Sequence, residues 1–510
     1  MTMTRVEEKK RPLLWRLGRT PRPRRQAVID IGSNSVRLIV YQINGRSIIP
    51  RINEKVMAGL GRDLSDTGRL SPEGVEAALA ALARFDSICT SLGVTDIRAI
   101  ATAAARDACD GPEFCETIRD LTGIRVEVLS GREEAHYAAM GVVAAQRDPT
   151  GLIGDLGGSS LELVTADRGV LGQGETYRLG PLALQAVKER SGVDLDEHIR
   201  DELTSRGKIP KADTFYAVGG AWRAFAKLYM HHTDYPLHVL QSYSLPASEA
   251  IELCSLVADG KSKIQSVAKD VAGKRYATLD LTARVLKATL EASNASKLSI
   301  SAYGLREGIV YSDMSAEMRR LDPLLAGVTT LADPDTGQAG FSKALNDFLR
   351  LALAPLEPVF ETAPDQEERL IAASFILADI GAMMHPDHRA DIARQIVLRG
   401  PYTGIDHPGR IFLGLITGFR YNRKQPVTDL ETSTLTEAQI HRAKVIAHLI
   451  RVAAEFSGRT ERILRKAHLS VRDDKLVMTI APGENVLVSE GVRKRLSQAA
   501  NVMDLSPVIE

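Results

Sequence analysis

Two stretches of this chain repeat one alternation of apolar and polar positions. Ala27-Val-Ile-Asp-Ile-Gly-Ser-Asn-Ser-Val-Arg-Leu-Ile-Val-Tyr41 sets two β-rich runs around a Gly-Ser-Asn-Ser turn. Leu152-Ile-Gly-Asp-Leu-Gly-Gly-Ser-Ser-Leu-Glu-Leu-Val164 does the same around Gly-Gly-Ser-Ser. Each predicts a β-hairpin. Laid over one another 125 positions apart, Asp30 falls on Asp155, Gly32 on Gly157, Ser35 on Ser160 and Arg37 on Glu162. One motif used about a domain apart predicts two similar domains, with their turns facing across a cleft.

Other patterns fill in the frame. Ser71-Pro72 before an Ala/Leu-rich run that ends at Gly93 predicts a helix with Ser71 at the cap. Ile97–Ala101 and Val126–Leu129 read as short strands, with a helix over Gly111–Gly123 between them. Phe215-Tyr-Ala-Val-Gly-Gly-Ala-Trp222 reads as a strand entering a turn and then a helix, and Leu298–Ala302 as a further strand. Helical periodicity takes over from Lys343 to Phe456. Near the end His468–Ile480 predicts a hairpin turning at Arg472-Asp-Asp-Lys475, then a helix from about Glu490. The expected division is a basic disordered arm over 1–25, α/β domains over 26–137 and 138–320, a helical domain over 321–430 and a small α+β domain over 431–510.

Composition narrows the classes. The 510 residues are 44% hydrophobic and 25% charged, with 65 Lys plus Arg against 64 Asp plus Glu, a net charge of +1. That balance argues against a broadly basic nucleic-acid binder. No apolar run reaches the roughly 18 residues of a membrane helix, and the four cysteines form no CxxC pair. A protein of a reducing compartment, cytoplasmic and off the membrane, is expected. The arm holds nine Lys or Arg against two Glu, which reads as a solvated tail or as an attractor of polyanions.

The chemistry sits in the turns. Gly32, Ser33, Asn34 and Ser35, like Gly157, Gly158 and Ser159, offer backbone N–H groups and hydroxyls without bulk, the usual means of cradling phosphate. Carboxylates beside such cradles would repel phosphate unless a cation intervened, so Asp30, Asp155 and Glu162 imply Mg²⁺ or a similar hard ion. In Ser130-Gly-Arg-Glu-Glu-Ala135, Ser130 and Glu133 form a capping box. Glu134 is left over, either as a carboxylate stabilised by the helix start or as a base for water. Arg106 follows a strand end, fit to clamp phosphate oxygens or to pair with a surface acid. There is no GxxxxGK[ST], HExxH or GxSxG pattern.

Val-Ile-Asp30-Ile-Gly-Ser-Asn-Ser, Ala-Thr102-Ala-Ala-Ala-Arg106, Val-Leu-Ser-Gly-Arg-Glu-Glu134-Ala, Asp155-Leu-Gly-Gly-Ser-Ser-Leu-Glu162-Leu and Tyr303-Gly-Leu-Arg-Glu-Gly308 occur in that order. Together they resemble the exopolyphosphatase/guanosine pentaphosphate phosphohydrolase (Ppx/GppA) family. The resemblance implies two actin-like (sugar kinase/Hsp70/actin, ribonuclease H-like) domains facing a cleft, with a helical HD-like domain and a small α+β domain after them. It implies Mg²⁺-dependent removal of the terminal phosphate of polyphosphate, and a homodimer. By position Glu134 matches the catalytic carboxylate, Arg106 the arginine facing substrate, Asp155 and Glu162 the second acidic pair, and Asp30 to Asn34 the first phosphate motif.

There are three departures from the family pattern. Ser159 stands where the family often has Gly, so the turn is expected to shift slightly. Trp222 follows Gly219-Gly220 and would narrow a nucleotide pocket if it pointed inward. Leu377-Ala378-Asp379 lacks the His of an HD dyad, so the helical domain is read as lacking its own metal centre. From Ile380 to Gln425 seven basic residues face three acidic ones, and Arg420, Arg423 and Lys424 are candidate contacts for a long polyanion. The rival readings are a guanosine pentaphosphate (pppGpp) 5′-phosphohydrolase, a non-catalytic sensor of polyphosphate or of pppGpp and ppGpp, and, more distantly, a kinase-like transferase.

Overall fold

Strand β1 (Arg24–Ile31) lies at the centre of a five-stranded sheet. A computed structural model describes residues 23–189, 192–260, 262–332, 340–360 and 365–510. Most of the basic arm falls outside these residues, while Arg24 and Arg25 open β1, where Arg24 pairs with Asp96 at 2.8 Å. β1 pairs antiparallel with β2 (Val36–Asn44), which pairs with β3 (Ser47–Val56); on its other side β1 runs parallel to β4 (Ile97–Ala101), and β4 to β5 (Val126–Val128). The order is β3-β2-β1-β4-β5.

The second sheet repeats this plan. β6 (Gly151–Leu156) pairs antiparallel with β7 (Leu161–Asp167) and parallel with β10 (Thr214–Val218). The short β8 (Val170–Leu171) and β9 (Glu175–Tyr177) both pair antiparallel along the outer edge of β7, β12 (Lys297–Ile300) runs parallel beyond β10, and β11 (Ser244–Pro246) closes the edge. Five of its strands, β8-β7-β6-β10-β12, therefore follow the order of the first sheet, the duplication that the repeated hairpin predicts. Parallel neighbours need crossover helices, and these supply the cores: Phe85 and Leu82 of the helix Pro72–Ser91 in one half, Trp222 and Phe225 of the helix Gly220–His232 in the other. Ser71 sits at the cap position of the first of these, but its hydroxyl donates to Glu73 and accepts no N–H from the helix start.

Both sheets lie in one unit, Pro23–Pro323. The expected division near 137 falls within the helix Gly131–Ala145, which packs against the helix Leu305–Ser312. Their approach is unusually close: a Cβ on Gly308 would lie 1.7 Å from the carbonyl oxygen of Tyr137, so only glycine fits.

Leu324–Glu510 forms a second unit. Its helices include Gln366–Ile376, Arg389–Arg399, His407–Tyr421 and Glu437–Ser457. The last two pack on each other, so the chain passes the expected division near 430 without leaving this unit. β13 (Ala467–Arg472) and β14 (Lys475–Ile480) form the expected hairpin, and β15 (Ser506–Ile509) runs parallel to β14. Among the described residues no helix is long and apolar enough to cross a membrane.

Candidate active site

The two repeated hairpin turns are fastened alike. Gly32 N–H donates to Ser35 O at 3.1 Å, and Gly157 N–H donates to Ser160 O at 2.9 Å. The carbonyls of Ser33 and Asn34 accept from Gly61 and Gly59, and that of Gly158 accepts from Leu182. Ser33, Asn34, Gly158 and Ser159 thereby reach one cleft of about 500 Å³. Ser159 is not among the residues with positive φ, so its Cβ meets no left-handed backbone strain in the turn.

Register places the carboxylates. Asp155 pairs with Glu162 across β6 and β7, as Asp30 pairs with Arg37 across β1 and β2. Glu134 enters the same cleft from the first turn of the helix Gly131–Ala145. The capping box beside it is complete, with Ser130 N–H donating to Glu133 at 2.8 Å and Glu133 N–H to Ser130 at 3.3 Å. Glu133 is thus occupied at the helix start, and Glu134 is the carboxylate in the cleft.

Burial drives these acids upward. Glu134 is pushed up to about 6 by burial, against the pull of Arg106. Asp155 is likewise raised to about 6 by burial, and Glu162 to about 8 by burial and then by the nearby Asp155. Buried like charges favour a bound proton or a cation. Asp155 and Glu162 supply hard oxygen donors and fit a divalent ion. Among the described residues no three His, Cys, Asp or Glu side chains meet as a ready cage. Mg²⁺ sites commonly use one or two carboxylates, with water and phosphate oxygens completing the shell. Asp30, expected in that set, lines the same cleft and has Arg306 at 3.8 Å.

Arg106 follows the second of its two readings and pairs with acids. It donates to Glu134 at 2.5 Å, to Leu129 O at 2.8 Å and to Asp107 at 3.2 Å, so it holds the carboxylate and does not line the cleft itself. The cations that do line it are Arg37, Lys55, Arg223, Lys274, Arg275 and Arg306. Arg306 lies inside the quoted Tyr303–Gly308 motif and could have been singled out there. Arg223 follows the Gly219-Gly220 turn, while Lys274 and Arg275 carry no local signal. Gly219, at φ +102°, lets the backbone press onto Asp155: a Cβ there would lie 2.9 Å from Oδ1. Trp222 is fully buried against Phe215, edge to face at 5.4 Å between centroids. It points into the core and narrows nothing.

In the second unit the expected basic cluster breaks up. Arg423 and Lys424 are exposed, but Arg420 turns inward to Asp379 at 3.5 Å and lies over the Tyr421 ring. Arg394 and Arg410 of the same stretch are buried, the first on Glu431 and the second on the carbonyls of Gly400 and Tyr402. Sequence counts them as surface charge because it does not show which arginines staple helix ends.

Residues 39–317 match the Ppx/GppA phosphatase family, and residues 341–506 match the exopolyphosphatase C-terminal family. The chain is 24% identical to "Guanosine-5′-triphosphate,3′-diphosphate pyrophosphatase" of Photobacterium profundum, over 89% of this chain and 91% of that protein. It is also 24% identical to "Retrograde regulation protein 2" of Saccharomyces cerevisiae, over 83% of this chain and 77% of that one. A crystal structure of a Ppx/GppA family member from Aquifex aeolicus superposes with a TM-score of 0.52 at 25% identity, covering 57% of this chain and 97% of that one.

Proposed function

This chain belongs to the Ppx/GppA phosphatase family, whose members hydrolyse phosphoanhydride bonds, and we propose that its substrate is inorganic polyphosphate, from which it releases terminal orthophosphate. The observation that carries this choice is the lining of the cleft. Six cations and two phosphate-type turns face it, and among the described residues no aromatic ring does. Such a wall suits a repeating anion and offers a guanine base no ring to stack on.

In this reading the terminal phosphate rests on the Gly32–Ser35 and Gly157–Ser159 turns. Arg306 and Arg223 offset its charge, and Glu134, held ionised and oriented by Arg106, accepts a proton from a water. The water oxygen attacks phosphorus in line, the bridging P–O bond breaks, and orthophosphate leaves a chain shorter by one unit. Asp155 and Glu162 would hold Mg²⁺, which when bound neutralises charge on phosphate oxygens. We take the helical part of the second unit as HD-like without a metal centre of its own: Ala378 offers no ligand and Asp379 is spent on Arg420.

The printed name of the Photobacterium relative points to guanosine pentaphosphate as the other substrate. Orthophosphate release from long-chain polyphosphate and from pppGpp, compared as kcat/KM, separates the two. Preference for the polymer is expected, and preference for the nucleotide would overturn the reading.

A further inference from the structure

Far along the chain from that cleft, a cavity of about 240 Å³ opens within Leu324–Glu510, walled by Arg389, Arg420, Tyr421, Arg451, Arg459 and Arg495. Two carboxylates accompany these five guanidinium groups: Asp379 on Arg420 at 3.5 Å and Glu455 on Arg495 at 3.6 Å. Positive charge is therefore in excess in a small concave space.

Four of the five arginines are partly or wholly buried, and Arg459 alone among them is exposed. Arg451 is 9% exposed and donates to Arg420 O at 2.7 Å and Phe419 O at 3.3 Å, the carbonyl end of the helix His407–Tyr421. Arg389 is fastened to Met384 O at 3.2 Å and lies over the Tyr421 ring. The Nε groups of Arg420 and Arg451 are buried without a hydrogen-bond partner. Arg459 follows the helix Glu437–Ser457 in a left-handed conformation, φ +68°, uncommon for a residue with a Cβ. Arg451 is pushed down to about 10 by burial and then by the neighbouring Arg495, Arg420 and Arg423, so like charges are held close together here.

We propose that this arginine cavity is a second anion site, one that takes a pyrophosphoryl group. Planar guanidinium forks match phosphate oxygens two at a time. The volume admits a compact anion of two phosphates and excludes a nucleic-acid duplex. The same group occurs free, inside a polyphosphate chain, and as the 3′-diphosphate of a guanosine nucleotide. The site stands apart from the hydrolytic reading, since no cleft residue contributes to it.

Calorimetric titration of the full chain with pyrophosphate, in EDTA and low salt, tests this. Two classes of site are expected, the cleft and the cavity. Arg459→Gln, at an exposed side chain whose loss leaves the fold intact, should weaken one class about tenfold, the size of one charge-assisted contact, and Arg459→Glu should abolish it. Arg306→Gln should weaken only the other. If the Arg459 variants bind pyrophosphate as the wild type does, the site is refuted. Arg495→Gln, which leaves the loop after Ser457 untouched, should repeat the loss; an unchanged isotherm there refutes it equally. Competition in the cavity class by long polyphosphate, by a guanosine 3′-diphosphate, or by neither then assigns the group to the polymer, the nucleotide or free pyrophosphate.

Discussion

Arg106 donates to Glu134 at 2.5 Å, and it does so from the short helix Ala103–Asp107 that follows the end of β4. Burial raises Glu134 to about 6 while this contact pulls it down. The pair therefore sets where the base ionises. With the base needed as a carboxylate, kcat on polyphosphate should fall as pH drops through about 6. Arg106→Gln removes the pull and leaves burial, so this acid limb should move to higher pH, with activity at pH 7 reduced and partly restored at pH 8 to 9. A limb that stays in place, measured over pH 5 to 9, would mean that Arg106 does not tune Glu134.

Glu133 and Glu134 are neighbours with separate work. Glu133→Ala removes the side-chain half of the capping box and should lower stability by on the order of 1 kcal/mol, the scale of a lost cap, read by urea unfolding. Its kcat should match the wild type. A large loss of kcat in this variant with normal stability would exchange the two roles.

Asp155 and Glu162 are opposed in register and both buried enough to be raised. Asp155→Asn or Glu162→Gln should increase the Mg²⁺ concentration needed for half-maximal activity. Identical Mg²⁺ titrations in wild type and both variants would remove them from the metal site.

The same burial gives a pH dependence of stability. Glu162 is raised from 4.5 to about 8, so between those values the folded form holds a proton that the unfolded form has released. The stability it contributes is whole below about pH 4.5 and lost as pH rises through about 8. In EDTA the melting temperature of the Glu162→Gln variant should therefore lose less than the wild type between pH 6 and 9. Parallel curves would show that Glu162 is ionised throughout.

Much of this was legible in the sequence, for a physical reason. The hairpins announce themselves because strand alternation and a Gly/Ser turn are local features, and the matching Gly32–Ser35 and Gly157–Ser160 bonds bear out the repeat. The capping box over Ser130 and Glu133 is local too, and by elimination it pointed to Glu134. What stayed hidden depends on tertiary contacts. Trp222 could face cleft or core, and only packing against Phe215 decides. Arg420 looked like a companion of Arg423 and Lys424, yet a helix turn sends it to Asp379. Arg223 meets the adjacent Lys274 and Arg275 at the cleft from a different element with no shared motif, and the five arginines of the second cavity come from four stretches spread over 389–495.

The central claim is that the cleft of Pro23–Pro323 removes terminal phosphate from polyphosphate with Glu134 as the base. Glu134→Gln keeps the shape and removes the proton acceptor. Orthophosphate release from long polyphosphate with Mg²⁺, measured alongside equilibrium binding of the same polymer, tests the claim most directly. The account predicts a fall in kcat of about 100-fold or more, the scale of general-base catalysis, with binding held within a few-fold. A variant that releases phosphate at close to the wild-type rate would contradict it.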